Sequence, residues 1–253
     1  GGYTQMDVTE LARIFTGWTL RKPGPRGRTD VQAFDARRHD HGDKQWLGQT
    51  VRDQGEAEGE WALDVLARHP ATARHIAFKL ARHFVSDQPP PELVQSLAQR
   101  FTQTDGDIRA VLGTLFDSPA FRQAQGQKFK SPQQYVLSAL RATGADLGDV
   151  QPALRAFQQL GMPLYGCLTP DGWPDTEAAW LNPEGLARRI NLAVTLSAGR
   201  SMAAMAGNTA PSAASLSSTL GPGLSPRTWA VVQQAATPLQ VGLILGSPDF
   251  MRH

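Results

Sequence analysis

The sequence predicts a mainly α-helical protein, an irregular orthogonal multi-helix bundle with one small β-hairpin. Three observations carry that expectation. Apolar residues recur at three- and four-residue steps through most of the longer segments, as they do along one face of a helix. A Ser, Thr or Asn followed by Pro recurs at 118, 131, 182, 225, 237 and 247. Each is a helix-start signal, because a capping oxygen precedes a residue whose missing N–H costs nothing in the first turn. Strand-like sequence is confined to one stretch, 31–47. Repetition of a single start device predicts many short helices meeting at sharp angles, not a coiled coil.

Each element follows from local chemistry. Thr4-Gln5-Met6-Asp7 opens the first helix, with Thr4 as cap and Asp7 near the positive end of the dipole. Val8, Leu11, Ala12, Phe15 and Trp18 form its apolar stripe, and Gly17 weakens its last turn. Residues 21–28, rich in Pro, Gly and Arg, read as a mobile loop. In the 31–47 stretch, Gln32-Ala33-Phe34-Asp35 and Lys44-Gln45-Trp46-Leu47 flank His39-Asp40-His41-Gly42-Asp43, the pattern of a hairpin with Gly42 at positive φ. Residues 49–57 read as a polar loop and 59–67 as a short helix bearing Trp61, Leu63, Val65 and Leu66.

The organising element is the amphipathic helix of residues 69–87. Ala73, Ile76, Ala77, Leu80 and Phe84 line one face, Pro70 suits the first turn, and Pro89-Pro90-Pro91 stops the chain from continuing it. Burial of Ile76, Leu80 and Phe84 is worth about 1.5–3 kcal/mol each before entropy.

Further helices are predicted at 92–101, at 108–116 after the Asp105-Gly106-Asp107 cap, and from Ser118-Pro119 to Phe121. Others run from Ser131-Pro132 to Gly144, over 149–160, and from Asn182-Pro183 to Leu196. Between the last two, residues 161–175 hold too many Gly and Pro for a regular element, and their bulky side chains predict a loop pinned to the core. Residues 197–224 are rich in Ala, Ser, Gly and Pro with Arg200 as their one charge, and read as a partly ordered connector before a C-terminal helical pair at 225–253. Residues 1–253 read as a single helical domain, and the absence of an opening Met suggests a fragment of a longer chain. One internal echo stands out. Residues 111–122 and 241–252 both place an apolar helix end before Ser-Pro-x-Phe, which predicts a repeated helix corner.

Composition excludes several function classes. A net charge of +2 with scattered basic residues gives no basis for binding nucleic acid or an acidic membrane surface. The single cysteine, Cys167, rules out an intrachain disulfide and a multi-cysteine zinc site. No run of eighteen apolar residues is present to span a membrane, and no signal peptide opens the sequence. No nucleophile elbow, phosphate-binding glycine loop, His-Glu-x-x-His or cofactor fingerprint occurs.

Several motifs together carry a family resemblance. Tyr3-Thr4 with Asp7-Val8, Glu10-Leu11-Ala12-Arg13, Thr16-Gly17-Trp18, His39-Asp40-x-Gly42-x-Lys44, Leu47-Gly48, and His69-Pro70-Ala71-Thr72-Ala73 with Lys79-Leu80 resemble the bacterial domain-of-unknown-function 1800 (DUF1800) family. Asp105-Gly106-Asp107, Ser118-Pro119-x-Phe121, Lys130-Ser131-Pro132, Gly172-Trp173-Pro174-Asp175, Ala179-Trp180 and Ser247-Pro248-Asp249-Phe250 continue in the family's order. The resemblance implies a mostly helical fold, export to the periplasm or beyond, and a sulfatase-like protein encoded nearby as a candidate partner. It also implies a further helix before Gly1, so that the chain's own N-terminal segment is a partner of the part described. The resemblance implies no particular reaction.

Three groups of residues are candidates for chemistry. His39 and Asp40 sit in the polar loop, where imidazole nitrogen and carboxylate oxygen suit a divalent metal as possible cofactor; a solvated hairpin tip is the plainer reading. Trp173 and Trp180 are positioned to stack on a flat ligand with Asp171 and Asp175 as acceptors, or else to plug the core. Lys79 falls with His75 and His83 on one helix face, an anion-binding stripe or a solvated polar face. Cys167 lacks a local base and reads as a buried structural thiol. Two functions follow as expectations: an exported or cell-envelope helical binding and assembly module, or a metal-dependent hydrolase joining His39 and Asp40 to residues before Gly1.

Overall fold

The computed structural model describes residues 2–20, 32–144, 148–197 and 212–253. The loop expected at 21–28, Val31, Arg200 and half of the connector lie outside the described residues. As expected, the chain is mainly α, with two small antiparallel strand pairs among the described residues. It divides into two compact units, Gly1–Lys79 with Val94–Leu115, and Leu80–Leu93 with Phe116–His253.

The first unit opens with α1 (Gln5–Ile14). Its cap is reciprocal: Thr4 Oγ1 accepts from the Asp7 N–H at 3.2 Å, and Asp7 Oδ2 accepts from the Thr4 N–H at 2.7 Å. Asp7 Oδ1 also accepts from the Leu47 N–H at 2.7 Å, so one carboxylate closes the helix start and holds a distant turn. The Thr4 hydroxyl also donates to Asp7 Oδ2 at 2.7 Å, and this bond, then those from the Thr4 and Leu47 N–H groups, hold the Asp7 carboxyl below its usual range. The helix ends earlier than its stripe suggests, and Trp18 belongs to a strand. The reason is Gly17, whose φ is +88° and where a Cβ would stand 2.8 Å from the Phe34 ring.

The strands pair differently from the expected hairpin. β1 (Trp18–Leu20) pairs with β2 (Gln32–Phe34), in register Trp18 with Phe34, and β3 (Lys44–Trp46) pairs with β4 (Gln49–Val51), in register Lys44 with Val51. Segments 32–34 and 44–46 are therefore strands, but not of one hairpin, and 49–51 is not loop. The turn joining β3 to β4 is Leu47-Gly48, at φ 49° and 75°. Two positive φ values are what a tight hairpin turn matching the strand twist requires. A leucine at the first of them hides that turn in the sequence. Gly42 does take positive φ, at 101°, in the loop before β3.

α2 (Glu56–Arg68) packs Ala62 with Ile14, Trp46 and Val51 into the core of this unit, flanked by Leu11, Phe15, Leu47, Val65 and Leu66. Gly59 of α2 faces Trp18, where an added Cβ would lie 2.5 Å from the indole Nε1. α3 (Pro70–Phe84), α4 (Pro91–Gln103) and α5 (Ile108–Phe116) follow. On α3 the buried line is Ala73, Ala77 and Ala81, continued by Val85, while Ile76, Leu80 and Phe84 are only half-buried at its sides. The expectation that these three large residues fill the core is corrected: the small residues take the tightest packing, and the large ones flank it.

In the second unit the proline-started helices appear as predicted. α6 (Pro119–Gln123), α7 (Pro132–Ala142) and α12 (Pro226–Gln234) are capped by the Ser118, Ser131 and Ser225 hydroxyls, and α10 (Pro183–Ser197) by the Asn182 side chain, which accepts from the Gly185 N–H. Thr237 differs, since α13 (Thr237–Leu245) includes it and its cap is Ala236. The repeated corner is real: Ser118 Oγ accepts from Phe121 N–H and Ser247 Oγ from Phe250 N–H, both at 3.1 Å. α8 (Gln151–Gln159), α9 (Glu177–Trp180) and α11 (Ala213–Leu220) complete the unit, so the described end of the connector is helical, with Leu216 buried. Tyr135, Val136, Phe157, Ala193, Ile244 and Phe250 lie in its core. The Tyr135 hydroxyl faces the carbonyls of Arg189 and Leu245, at 3.1 and 3.0 Å.

Two substitutions test this packing. Gly59→Ala is expected to destabilise the chain by about 1–3 kcal/mol in urea unfolding, because the indole it meets has no slack. Tyr135→Phe is expected to cost about 1–3 kcal/mol in the same measurement, by leaving buried carbonyls without their donor.

Candidate functional site

The polar loop of the first unit leads into a buried charged cluster. His39 follows the 3-10 turn Ala36–Arg38 and is held from one side by Thr16, whose carbonyl lies 2.9 Å from Nδ1. A carbonyl only accepts, so Nδ1 carries the hydrogen. Nε2 then faces Lys44 Nζ at 3.3 Å and Glu58 Oε1 at 3.2 Å. A neutral ring accepts from the first, and a protonated ring donates to the second. Lys44 Nζ lies 2.8 Å from Glu58 Oε2, and Glu58 Oε1 also accepts from the Gln54 N–H at 2.9 Å. The side chains of His39, Lys44 and Glu58 are all 0% exposed. Burial is the largest single influence on the Glu58 carboxyl and pushes its pKa up. The bonds from Lys44, Gln54 and His39 together outweigh burial and leave it below the ordinary 4.5.

Asp40 is not part of this cluster. Its two oxygens take a fork from Arg13, Nε to Oδ2 at 3.1 Å and Nη2 to Oδ1 at 3.0 Å. Arg13 Nη1 also reaches both oxygens of Glu10, and Glu10 Oε2 accepts from the Gln45 N–H at 3.1 Å. The Asp40 carboxyl is held below its usual range chiefly by the hydrogen bonds from Arg13. Asp40 therefore ties the loop to α1. His41 and the Gly42 N–H instead converge on Asp53 Oδ2 at 3.0 and 3.1 Å, and the Gly42 bond, then His41, bring the Asp53 carboxyl down to about 2.

Among the described residues one donor set suits a metal: His39, Asp53 and Glu58 bring a nitrogen and two carboxylate oxygens within 4.8 Å of one another. Zinc binds such atoms at about 2.0–2.2 Å, which places any two ligands of one ion within about 4.4 Å, so the set must draw in to close on an ion. It must also displace the Lys44 ammonium from His39 and Glu58. Sequence reasoning found His39 and missed Asp53 and Glu58. Glu58 carried a usable signal, since it lies four residues before the buried Ala62, on the core-facing side of α2.

The ligand candidates of the second unit are brought together in part. Trp173 and Trp180 are neighbours, with ring centroids 6.2 Å apart, and the Trp180 Nε1–H donates to the Pro174 carbonyl at 2.8 Å. Asp175 joins a charged network: Oδ2 accepts from His83 Nδ1 at 3.0 Å, and Oδ1 lies 3.4 Å from Lys128 Nζ. Lys128, 3% exposed, also donates to Asp87 at 2.6 Å and to the Asp175 carbonyl at 2.9 Å. Asp87 Oδ2 accepts from the Glu177 N–H, and Glu177 pairs with Arg252. Burial raises the Asp175 pKa most, but His83 and Lys128 together win and lower it.

Asp171 is exposed on the same loop, and Lys79 is exposed on α3. The loop is less pinned than expected, with Tyr165 and Leu168 fully exposed. Cys167 is half-buried, with Sγ 3.5 Å from the Thr169 carbonyl, so the buried thiol is corrected too.

Fold and site define a class of protein: mainly helical, with a closed His–Lys–Glu cluster in one unit and an Asp–His–Lys network in the other. No helix among the described residues is long and apolar enough to cross a membrane. The family described as "Protein of unknown function (DUF1800)" matches residues 1–252, and the chain belongs to it. No curated protein and no solved structure matches the chain.

The Lys44–Glu58 pair sets the expected energetics. Lys44→Met is expected to cost about 3–5 kcal/mol by stranding a buried carboxylate, whereas Lys44→Met with Glu58→Met recovers most of that loss. Both are read by urea unfolding. Because the folded Glu58 pKa is depressed, its contribution is complete above about pH 4.5 and declines as pH falls through the folded value. Acid unfolding of the wild type should therefore begin below pH 4.5, and the double variant should lose that part of the pH dependence.

Proposed function

We propose that the chain is a helical binding and assembly module of the cell envelope, exported to the periplasm or secreted, and not a catalyst. One observation carries the non-catalytic part. The constellation richest in chemistry, His39 with Lys44 and Glu58, has every side chain at 0% exposure and its charges paired with one another. A substrate reaches it only by opening the core. Export and a sulfatase-like partner rest on the family resemblance alone.

A second reading, a metal-dependent hydrolase, is favoured by the three convergent donors His39, Asp53 and Glu58. In that reading a divalent ion replaces the Lys44 ammonium. Metal content separates the two. After exposure to zinc and dialysis, the purified chain is expected to hold well under one equivalent by elemental analysis, and to leave simple ester and phosphoester substrates unhydrolysed. One equivalent of zinc, lost in Glu58→Gln, would establish the second reading and overturn the first.

A further inference from the structure

We propose that a pocket of the second unit binds a small aromatic carboxylate, with Arg122 taking the carboxylate, His83 offering a ring nitrogen, and Phe84 and Phe121 forming the apolar wall. This goes beyond the module reading and does not depend on it, because the pocket shares no residue with the His39 cluster.

The cavity measures about 570 Å³ and is lined by His83, Phe84, Phe121, Arg122, Gln125 and His253 with Ala124. That volume falls within the range of small-molecule sites, which combine apolar walls with a few placed polar groups. The walls here are aromatic. Phe84 meets the Phe116 ring edge-on at 5.3 Å, and Phe116 meets Phe121 at 5.0 Å, so the two lining rings are braced through a third. Braced rings make a flat ligand face cheap to bind, because little side-chain freedom is lost.

The polar groups are Arg122, Gln125 and two imidazoles, and the guanidinium is unclaimed. Arg122 is exposed and makes no side-chain hydrogen bond or ion pair among the described residues. The carboxylates around His83 and Lys128 are already engaged: Asp87 by Lys128, Asp175 by His83 and Lys128, Glu177 by Arg252. Asp175 takes the Nδ1 hydrogen of His83, and in the protonated ring the second hydrogen, on Nε2, is the one that meets a ligand carboxylate. His253 is fixed at the rim by a two-way backbone pairing with Lys128, at 2.9 and 3.2 Å. Burial first, then the positive charges of Lys130, His83 and Lys128, lower the His253 pKa against the opposing pull of Asp175. The pocket thus joins an unpaired guanidinium to an aromatic wall.

A guanidinium fork pairs with carboxylate and phosphate alike in two parallel bonds, and the aromatic wall is what favours a flat aromatic carboxylate here. Benzoate is therefore the probe. Titrated into the purified chain by calorimetry or by histidine NMR signals, benzoate is expected to bind saturably, and neutral benzamide at least tenfold more weakly. Arg122→Gln, at an exposed position, should keep the far-ultraviolet circular dichroism of the wild type and weaken benzoate at least tenfold. His83→Gln should weaken it severalfold and abolish the shift at that ring. No saturable benzoate binding, or an unchanged Kd in Arg122→Gln, would overturn the site. Inorganic phosphate binding as tightly as benzoate would overturn the aromatic part of the assignment.

Discussion

A fully buried ammonium has to be matched, and in the first unit Glu58 matches Lys44 at 2.8 Å. Removing both charges from water costs several kcal/mol per ion before their attraction is counted, so the pair stands only because each group is also bonded elsewhere. Glu58 holds the Gln54 N–H and faces His39, and His39 is anchored to Thr16. That requirement fixes the position of the 3-10 turn, of β3 and of the start of α2 together. The two short strand pairs are too small to be stable alone. The buried charges supply what their few ladder bonds do not.

The second unit handles buried cations in two ways. Lys128 is matched by Asp87 and Asp175, as Lys44 is matched by Glu58. Lys130 and Arg189 instead rest on carbonyls and aromatic faces. Lys130 Nζ donates to the Phe250 carbonyl at 2.6 Å and sits 4.2 Å from that ring's centroid. Arg189 donates to the Lys130 carbonyl at 2.7 Å and lies 4.5 Å from the Phe129 ring centroid. Burial, reinforced by Arg189, brings the Lys130 pKa down to about 8. These residues hold the Phe129–Arg252 bridge and the Ser247-Pro248-Asp249-Phe250 corner against α7 and α10. The same bridge carries His253 to the rim of the pocket, so the structural use of cations and the proposed ligand site are continuous.

The two candidate regions differ in what they leave unsatisfied. In the His39 cluster every strong donor and acceptor is turned inward, and the chemistry is consumed in holding the fold. Around the second pocket the carboxylates are consumed but Arg122 and one nitrogen of His83 are left over. A ligand adds to leftover groups, whereas it must compete with satisfied ones. The proposed difference in binding capacity rests on that accounting, not on the residue types, which are similar in both places.

Much of the architecture was legible in local sequence. A capping hydroxyl before proline acts over four residues, so Ser118, Ser131, Ser225 and the repeated Ser-Pro-x-Phe corner needed no tertiary information, and helical class followed from periodicity. What the tertiary structure decided depends on partners far apart in the chain. The strand pairing turned on a positive φ at Leu47, stabilised by an Asp7 carboxylate forty residues earlier. Asp40 and His39, adjacent in sequence, point to different partners because successive residues of an extended segment face opposite ways. Asp175 met His83 across 92 residues. Periodicity says which face of a helix is buried, but a charge's role is set by what stands opposite it, and only the folded chain supplies that.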